Sequence, residues 1–297
     1  MKKNEIQTVK KKDISTDLIE ASWTALSKET QAAYKSDLKL FLAFVGKDFQ
    51  SVTVSDVSNY ILHLRNLKQT NATINRKIAS LSKLFSVYQK AGVIQQNPVE
   101  LLRSVQKISF KVAKGVHNQL SIKEIKAATK PKKSDKPITI RTMVIIKTLA
   151  ETGMRISELI NMQRKNLEAL DNSAYYRIRI IGKGQKERYI FISKSLLSEI
   201  EAVFPDKKNP LLFYSVNGHP YDRRNLWKFI KDHFQNRIGK EDVHPHMLRH
   251  FFATHKIANE KKDIKAVSRY LGHHSAQVTL DMYDDTVLNE HTAAISI

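Results

Sequence analysis

Apolar residues recur every three to four positions along most of the chain, and the first such run is LSKETQAAYKSDLKLFLAFVG. Leu26, Tyr34, Leu38, Phe41, Leu42 and Val45 fall there on one helical face, with a start at Ser27, Thr30 and Gln31 and a stop at Gly46. VTVSDVSNYILHLRNL predicts a second helix with Ser55 as its N-cap. TNATINRKIASLSKLFSVYQKAG predicts a third, with Ile74, Ile78, Leu81, Leu84, Phe85 and Tyr88 inward and Gly92 at its end. NPVELL at 97–102 adds a short element with Pro98 at a first helical position, where its missing N–H costs nothing. These segments predict a four-helix domain over 21–103, preceded by a polar, lysine-rich segment at 1–20.

Residues 104–119 lose the period and read as a linker. A second domain is expected over 120–285, with a tail at 286–297. It opens with a short helix in SIKEIKAAT and a basic loop, KPKKSDKP, at 130–137. An apolar helix follows at 138–150, ending at Gly153. SAYYRIRIIGKGQKERYIFIS changes the period from near four to two. Its β-branched and aromatic residues alternate on either side of a glycine-rich turn, which predicts a β-hairpin. Helical patterns return at 194–203, 222–238, 245–259, 263–271 and 275–284. The expected fold is therefore mainly α with a small β-sheet, in two domains.

Charge narrows the partner. Lys and Arg total 50 against 29 Asp and Glu, a formal net charge of +21. Such an excess favours a polyanion, because each phosphate neutralised by a cation releases condensed counterion. The absence of cysteine removes disulfides and thiolate metal sites. The basic start lacks the apolar stretch of a secretory signal, and no apolar run approaches the roughly 20 residues of a membrane span. A soluble, cytoplasmic protein without membrane contact is the expectation.

Candidate chemistry lies in order through the second domain. Arg155 stands in TGMRISEL, at the start of a helix, where a guanidinium can point into a cleft; Glu158, one turn on, could hold it. Lys183 occupies a Gly-Lys-Gly turn in IGKGQKER, whose tip is cationic through Lys186 and Arg188. A lysine ammonium there could act as a general acid, with Lys186 as the rival to Lys183. His246 and Arg249, three apart in HPHMLRHFFATH, share a helical face and pair an imidazole with a bidentate anion binder. His273 and Tyr283 follow in LGHHSAQVTLDMY. Each residue alone also fits a bland role: a surface ion pair, a solvated turn, a packed histidine, a helix filler. The many histidines invite a metal, but matching acidic or cysteine ligands are missing at recognised spacings. His250, His255 and Tyr270 read as packing or satellite residues.

Together these segments resemble the tyrosine recombinase, or phage integrase, family. TGMRISEL is similar to its first-arginine motif, IGKGQKER to its lysine hairpin, PHMLRHFFATH to its histidine–arginine box and LGHHSAQVTLDMY to its terminal histidine and tyrosine. LSKETQAAYKSDLKLFLAFV and TINRKIASLSKLF are similar to its helical core-binding domain. The resemblance implies the two-domain tyrosine recombinase architecture, with a core-binding domain and a mixed α/β catalytic domain. It implies cleavage and rejoining of DNA through a 3′-phosphotyrosyl intermediate and a Holliday junction. Tyr283 would be the nucleophile, Arg155, Arg249 and His273 would bind the scissile phosphate, His246 would accept the tyrosine proton and Lys183 would protonate the leaving oxygen. The implied partners are double-stranded DNA recombination sites and a homo-tetramer on two sites, with accessory proteins left open. No cofactor or metal is expected. Arg76, Lys77, Lys186, Arg223 and Arg224 are candidate groove or phosphate contacts, with a solvated helix face as the alternative for Arg76, Lys77, Arg223 and Arg224.

Other classes share parts of this inventory. A type IB topoisomerase or a telomere-resolving enzyme would use the same tyrosine chemistry without exchanging partners. A metal-dependent nuclease would lose activity on chelation, and a non-catalytic DNA-binding protein would leave the site idle.

Overall fold

The computed structural model of the protein describes Thr24 and residues 28–105, 119–181, 187–273 and 275–280. Lys183, Lys186 and Tyr283 lie outside the described residues, as do most of the expected linker and the tail. The chain divides into two compact units, Met1–Gly115 and Val116–Ile297.

The first unit holds α1 (Lys28–Val45), a 3-10 turn (Phe49–Ser51), α2 (Val54–Asn66), α3 (Asn71–Lys90) and α4 (Pro98–Val105). Phe41, Ile74 and Leu81 of the predicted faces are fully buried in its core, together with Val57 and Val99. Phe49 stacks on Phe85 with ring centroids 4.0 Å apart. The start of α2 differs from expectation, because Thr53 rather than Ser55 is its N-cap. Thr53 Oγ1 accepts the Asp56 N–H at 3.3 Å, and the Asp56 carboxylate accepts the Thr53 N–H at 2.8 Å. That reciprocal box requires an acid three residues after the cap; Ser55 is followed at that distance by Ser58. At the other end, α4 runs to Val105 and so takes the first two residues expected in the linker.

Asp37 on α1 is 2% exposed and ties α1 to α3. It accepts from Arg76 Nη1 at 2.5 Å and Nη2 at 3.0 Å, from Lys77 Nζ at 3.0 Å and from Ser80 Oγ at 3.1 Å. Burial opposes its ionisation, but hydrogen bonds from Arg76 and Lys77 outweigh that and hold the carboxyl below its ordinary range. Lys77 is buried and committed to this carboxylate, which corrects the expectation that it reaches for phosphate. Half of the Arg76 side chain is exposed.

The second unit opens with α5 (Ile122–Ala128), whose N-cap Ser121 forms a capping box with Glu124. Next come α6 (Pro137–Thr152) and α7 (Ile156–Ile160). A three-stranded antiparallel sheet follows in the order β1 (Leu167–Ala169), β2 (Tyr175–Ile181) and β3 (Glu187–Ser193). The predicted hairpin is β2–β3, in register Ile178 to Ile190 and Ile180 to Arg188. Ile178, Ile180, Ile190 and Ile192 all turn inward, as period-two alternation requires. Strand β1 was not expected, since three residues, Leu-Glu-Ala, are too few to show a period. The helices α8 (Lys194–Val203), α9 (Arg223–Ile238), α10 (Pro245–Thr254) and α11 (Ile264–Leu271) complete the named elements. The helix expected over 245–259 changes to a π-turn at His255–Asn259. Residues 276–280 are helical, within the last predicted helix. The core centres on Ile145, Leu149, Leu159, Phe204, Phe234 and Leu248, all fully buried. Among the described residues no helix is long and apolar enough to cross a membrane.

Candidate active site

The site begins where α6 stops. Gly153 caps that helix in the left-handed region at φ +63°. A Cβ there would lie 2.6 Å from Phe252 Cδ1 and 2.8 Å from Leu271 Cδ2, so glycine is needed for both conformation and room. The turn delivers Arg155 to the N-cap position of α7. Glu158 Oε2 accepts the Arg155 backbone N–H at 2.7 Å, and Oε1 accepts from Arg155 Nη1 at 3.0 Å. Glu158 Oε2 also accepts from Arg188 Nη2 at 2.7 Å. Burial raises the Glu158 pKa, but the Arg188 hydrogen bond and the Arg155 N–H reverse this and hold it below the usual carboxylate range.

Pro245 starts α10 and places His246 and Arg249 one turn apart. Arg249 is only 3% exposed. Its Nη1 donates to the Gly153 carbonyl at 2.8 Å, and its Nη2 donates to the Leu271 carbonyl at 2.6 Å. Two further guanidiniums meet the same end of α11. Arg188 Nε donates to the Tyr270 carbonyl at 3.0 Å, and Arg155 Nη2 donates to the Gly272 carbonyl at 3.2 Å. Three arginines from three elements thus bind three successive carbonyls at a helix C-terminus, where the unpaired carbonyls and the helix dipole both favour cations. Glu158 is the only carboxylate that forms ion pairs with any of these arginines among the described residues, so three positive charges face one negative.

The histidines sit in this positive field. Burial, then the charges of Arg249 and Arg155, pull His273 down to about 4. Its Nδ1 lies 2.7 Å from the Thr279 hydroxyl, and Thr279 is fully buried. Burial, then His244 and Arg249, lower His246 as well. Both rings are neutral at neutral pH. Burial and Arg155 lower Arg249 to about 9, which leaves it protonated there.

The structure therefore brings together Arg155, Glu158, His246, Arg249 and His273 from separate motifs. Arg223 and Arg224 are exposed in the first turn of α9, after the N-cap Asp222, and the Arg223 charge also depresses His246. Tyr270 packs as expected: its ring stacks on Phe252, and its hydroxyl accepts the Phe191 N–H at 3.3 Å. His255 stacks on Phe251. Among the described residues no group of three or more His, Cys, Asp or Glu side chains is placed to hold a metal.

Arg188 was read in the sequence only as part of a cationic hairpin tip. The signal for its true place was present, because Arg188 has the same strand parity as the inward Ile190 and Ile192. An arginine on the buried parity must find partners inside.

A cluster of guanidiniums and neutral imidazoles around one carboxylate is equipped for chemistry on a phosphodiester. The Phage integrase family model matches residues 118–289, and the Phage integrase, N-terminal SAM-like domain model matches residues 21–92. The tyrosine recombinase XerC of Staphylococcus carnosus is 31% identical over 264 residues, covering 85% of this chain and 85% of that protein. The tyrosine recombinase XerD of Lacticaseibacillus casei is 27% identical over 280 residues, covering 91% and 92%. Among solved structures, the XerH site-specific recombinase bound to a palindromic difH substrate, in a post-cleavage complex, superposes with a TM-score of 0.71 at 22% identity, covering 95% of this chain and 84% of that one. A lambda integrase (75–356) dimer bound to a COC′ core site gives 0.71 at 16% identity, covering 92% and 94%. The chain belongs to the phage integrase family, the family of the tyrosine recombinases, and is an enzyme of that class.

Proposed function

We propose that the protein breaks and rejoins DNA at specific sites through a 3′-phosphotyrosyl intermediate, with Tyr283 as the nucleophile. The observation that carries this reading is the convergence of Arg155, Arg188 and Arg249 on the end of α11, directly before His273. Arg155 and Arg249 supply donors for the nonbridging oxygens of a scissile phosphate, where negative charge grows in the transition state. His273 adds a hydrogen bond: with the Thr279 hydroxyl donating to Nδ1, the ring proton sits on Nε2. Neutral His246 accepts the Tyr283 proton as its oxygen attacks phosphorus. The bond from phosphorus to the 5′-oxygen breaks, and Lys183 protonates that oxygen, with Lys186 as the alternative donor.

A 5′-hydroxyl from a partner strand then attacks the phosphotyrosine and releases Tyr283. Two such exchanges pass through a Holliday junction. One phosphodiester replaces another, so the step is close to isoenergetic and calls for no nucleotide cofactor or metal. Exchange between two duplexes suits a homo-tetramer on two sites, acting on cytoplasmic DNA. Arg76, Arg223, Arg224 and Lys186 are the phosphate contacts of this reading; Lys77 is withdrawn from it.

The test is a covalent trap. Wild type and Tyr283→Phe are incubated with nicked duplexes carrying candidate sites, in a chelating buffer, and denatured. A protein–DNA adduct in wild type alone is expected. Cutting that begins only when magnesium is added would overturn the proposal in favour of a nuclease.

A further inference from the structure

We propose that Arg188 is a positioning residue for strand cleavage: its fork fixes Glu158 and the end of α11, and through them sets Arg155 and His273. This rests on the recombinase reading above. Arg188 and Glu158 are each only 10% exposed at the side chain, so their 2.7 Å ion pair is shielded from water. The same guanidinium donates to the Tyr270 carbonyl, and its Cδ and Nε underlie Gly272, where an added Cβ would stand 3.0 and 3.2 Å away. Glu158 in turn holds both the backbone N–H and the guanidinium of Arg155. Gly272 lies between the carbonyl that Arg188 binds and His273. One side chain therefore touches the supports of two phosphate-binding groups while pointing away from solvent.

Arg188 also lies on β3, five residues beyond Lys183, with Ile180 opposite it across the hairpin. It is bonded both to α11 and to Glu158, and so it ties strand β3 to the arginine cluster. A planar fork serves two acceptors at fixed angles from two separate nitrogens; a lysine or glutamine offers its donors from a single nitrogen and does not reproduce that geometry. The Arg188 charge is one of those that depress His273, which supplies a readout in the DNA-free protein.

Two neutral variants, Arg188→Gln and Arg188→Met, test this with two readouts. The first is the titration of the His273 ring followed by NMR without DNA; it is expected to move to higher pH than in wild type. The second is adduct formation on a nicked duplex at matched DNA occupancy; it is expected to fall about tenfold or more, with DNA affinity little changed. Arg188→Lys is expected to restore the His273 titration but not the cleavage rate. An unchanged His273 titration in both neutral variants would overturn the proposal, even if wild type formed no adduct. Loss of adduct explained wholly by weaker DNA binding would also overturn it. Absence of wild-type adduct with a shifted His273 titration would sink the recombinase reading and the role in cleavage with it, leaving only the support that Arg188 gives Glu158 and the end of α11.

Discussion

Among the described residues, each unit holds a carboxylate that pairs with two cationic side chains, Asp37 in one and Glu158 in the other, and the two clusters are put to different use. In the four-helix unit, Asp37 receives Arg76, Lys77 and Ser80, all from α3. The bonds join one helix to another, and the arrangement is closed. In the catalytic unit, Glu158 receives Arg155 and Arg188 from two elements, and a further donor of each of these arginines goes to a backbone carbonyl, joined there by Arg249. Backbone carbonyls stabilise cations without neutralising them. The second cluster therefore keeps a surplus of positive charge beside two neutral histidines, and surplus charge in a water-poor site is what a phosphate in transition requires. A buried carboxylate alone does not reveal a site. What else its partners bind does.

Breaking the closed cluster should have the largest effect on stability. Asp37→Ala leaves Lys77 buried without its counter-ion and is expected to destabilise the four-helix unit by about 3 kcal/mol, as loss of one partner from a buried pair does. Chemical unfolding checks this, and a loss of only a few tenths would show that the pair is merely a surface contact. A smaller effect is expected from pH. His273, His246 and His233 all have lowered pKa values, with burial as the first cause. The unfolded chain therefore binds their protons first as pH falls. The catalytic unit should lose stability as pH drops from the ordinary histidine value of 6.5 toward about 4, where His273 itself titrates when folded. The contributions of Glu158 and Asp37 have the carboxylate sign. They are present above the ordinary carboxyl values and are lost only as pH falls through the depressed ones. His273→Gln should flatten the slope between pH 6.5 and 4 by on the order of 1 kcal/mol per pH unit; an identical slope would mean that the imidazole is not held neutral by the fold.

Much of this was readable from residue order. The four-helix unit follows its apolar period closely, since Phe41, Ile74, Leu81, Leu84 and Phe85 are all in the core. The error there, at Ser55, came from weighing a cap residue without the acid that completes its box. In the catalytic unit the hairpin, the end of α6 and the start of α10 were legible because glycine and proline punctuate them. Two things were not. The three-residue strand β1 has no period to detect. The partners of Arg249 lie 96 and 22 residues away, at Gly153 and Leu271, and no local pattern announces a bond to a distant carbonyl. Arg188 falls between these cases: its strand parity marked it as buried, but only packing shows that Glu158 and Tyr270 receive it.

Arg155 and Arg76 make the sharpest comparison, because each guanidinium rests on a buried carboxylate in its own unit. The decisive measurement is the rate of covalent adduct formation by Arg155→Ala and Arg76→Ala on one nicked duplex at saturating protein. Arg155→Ala is expected to slow the chemical step about a hundredfold or more, as removal of one anion-stabilising donor does. Arg76→Ala should leave the rate of the bound complex within about twofold and weaken only salt-sensitive binding. Equal losses in the two variants, or an unimpaired Arg155→Ala, would contradict the assignment of the Glu158 cluster to catalysis and the Asp37 cluster to structure.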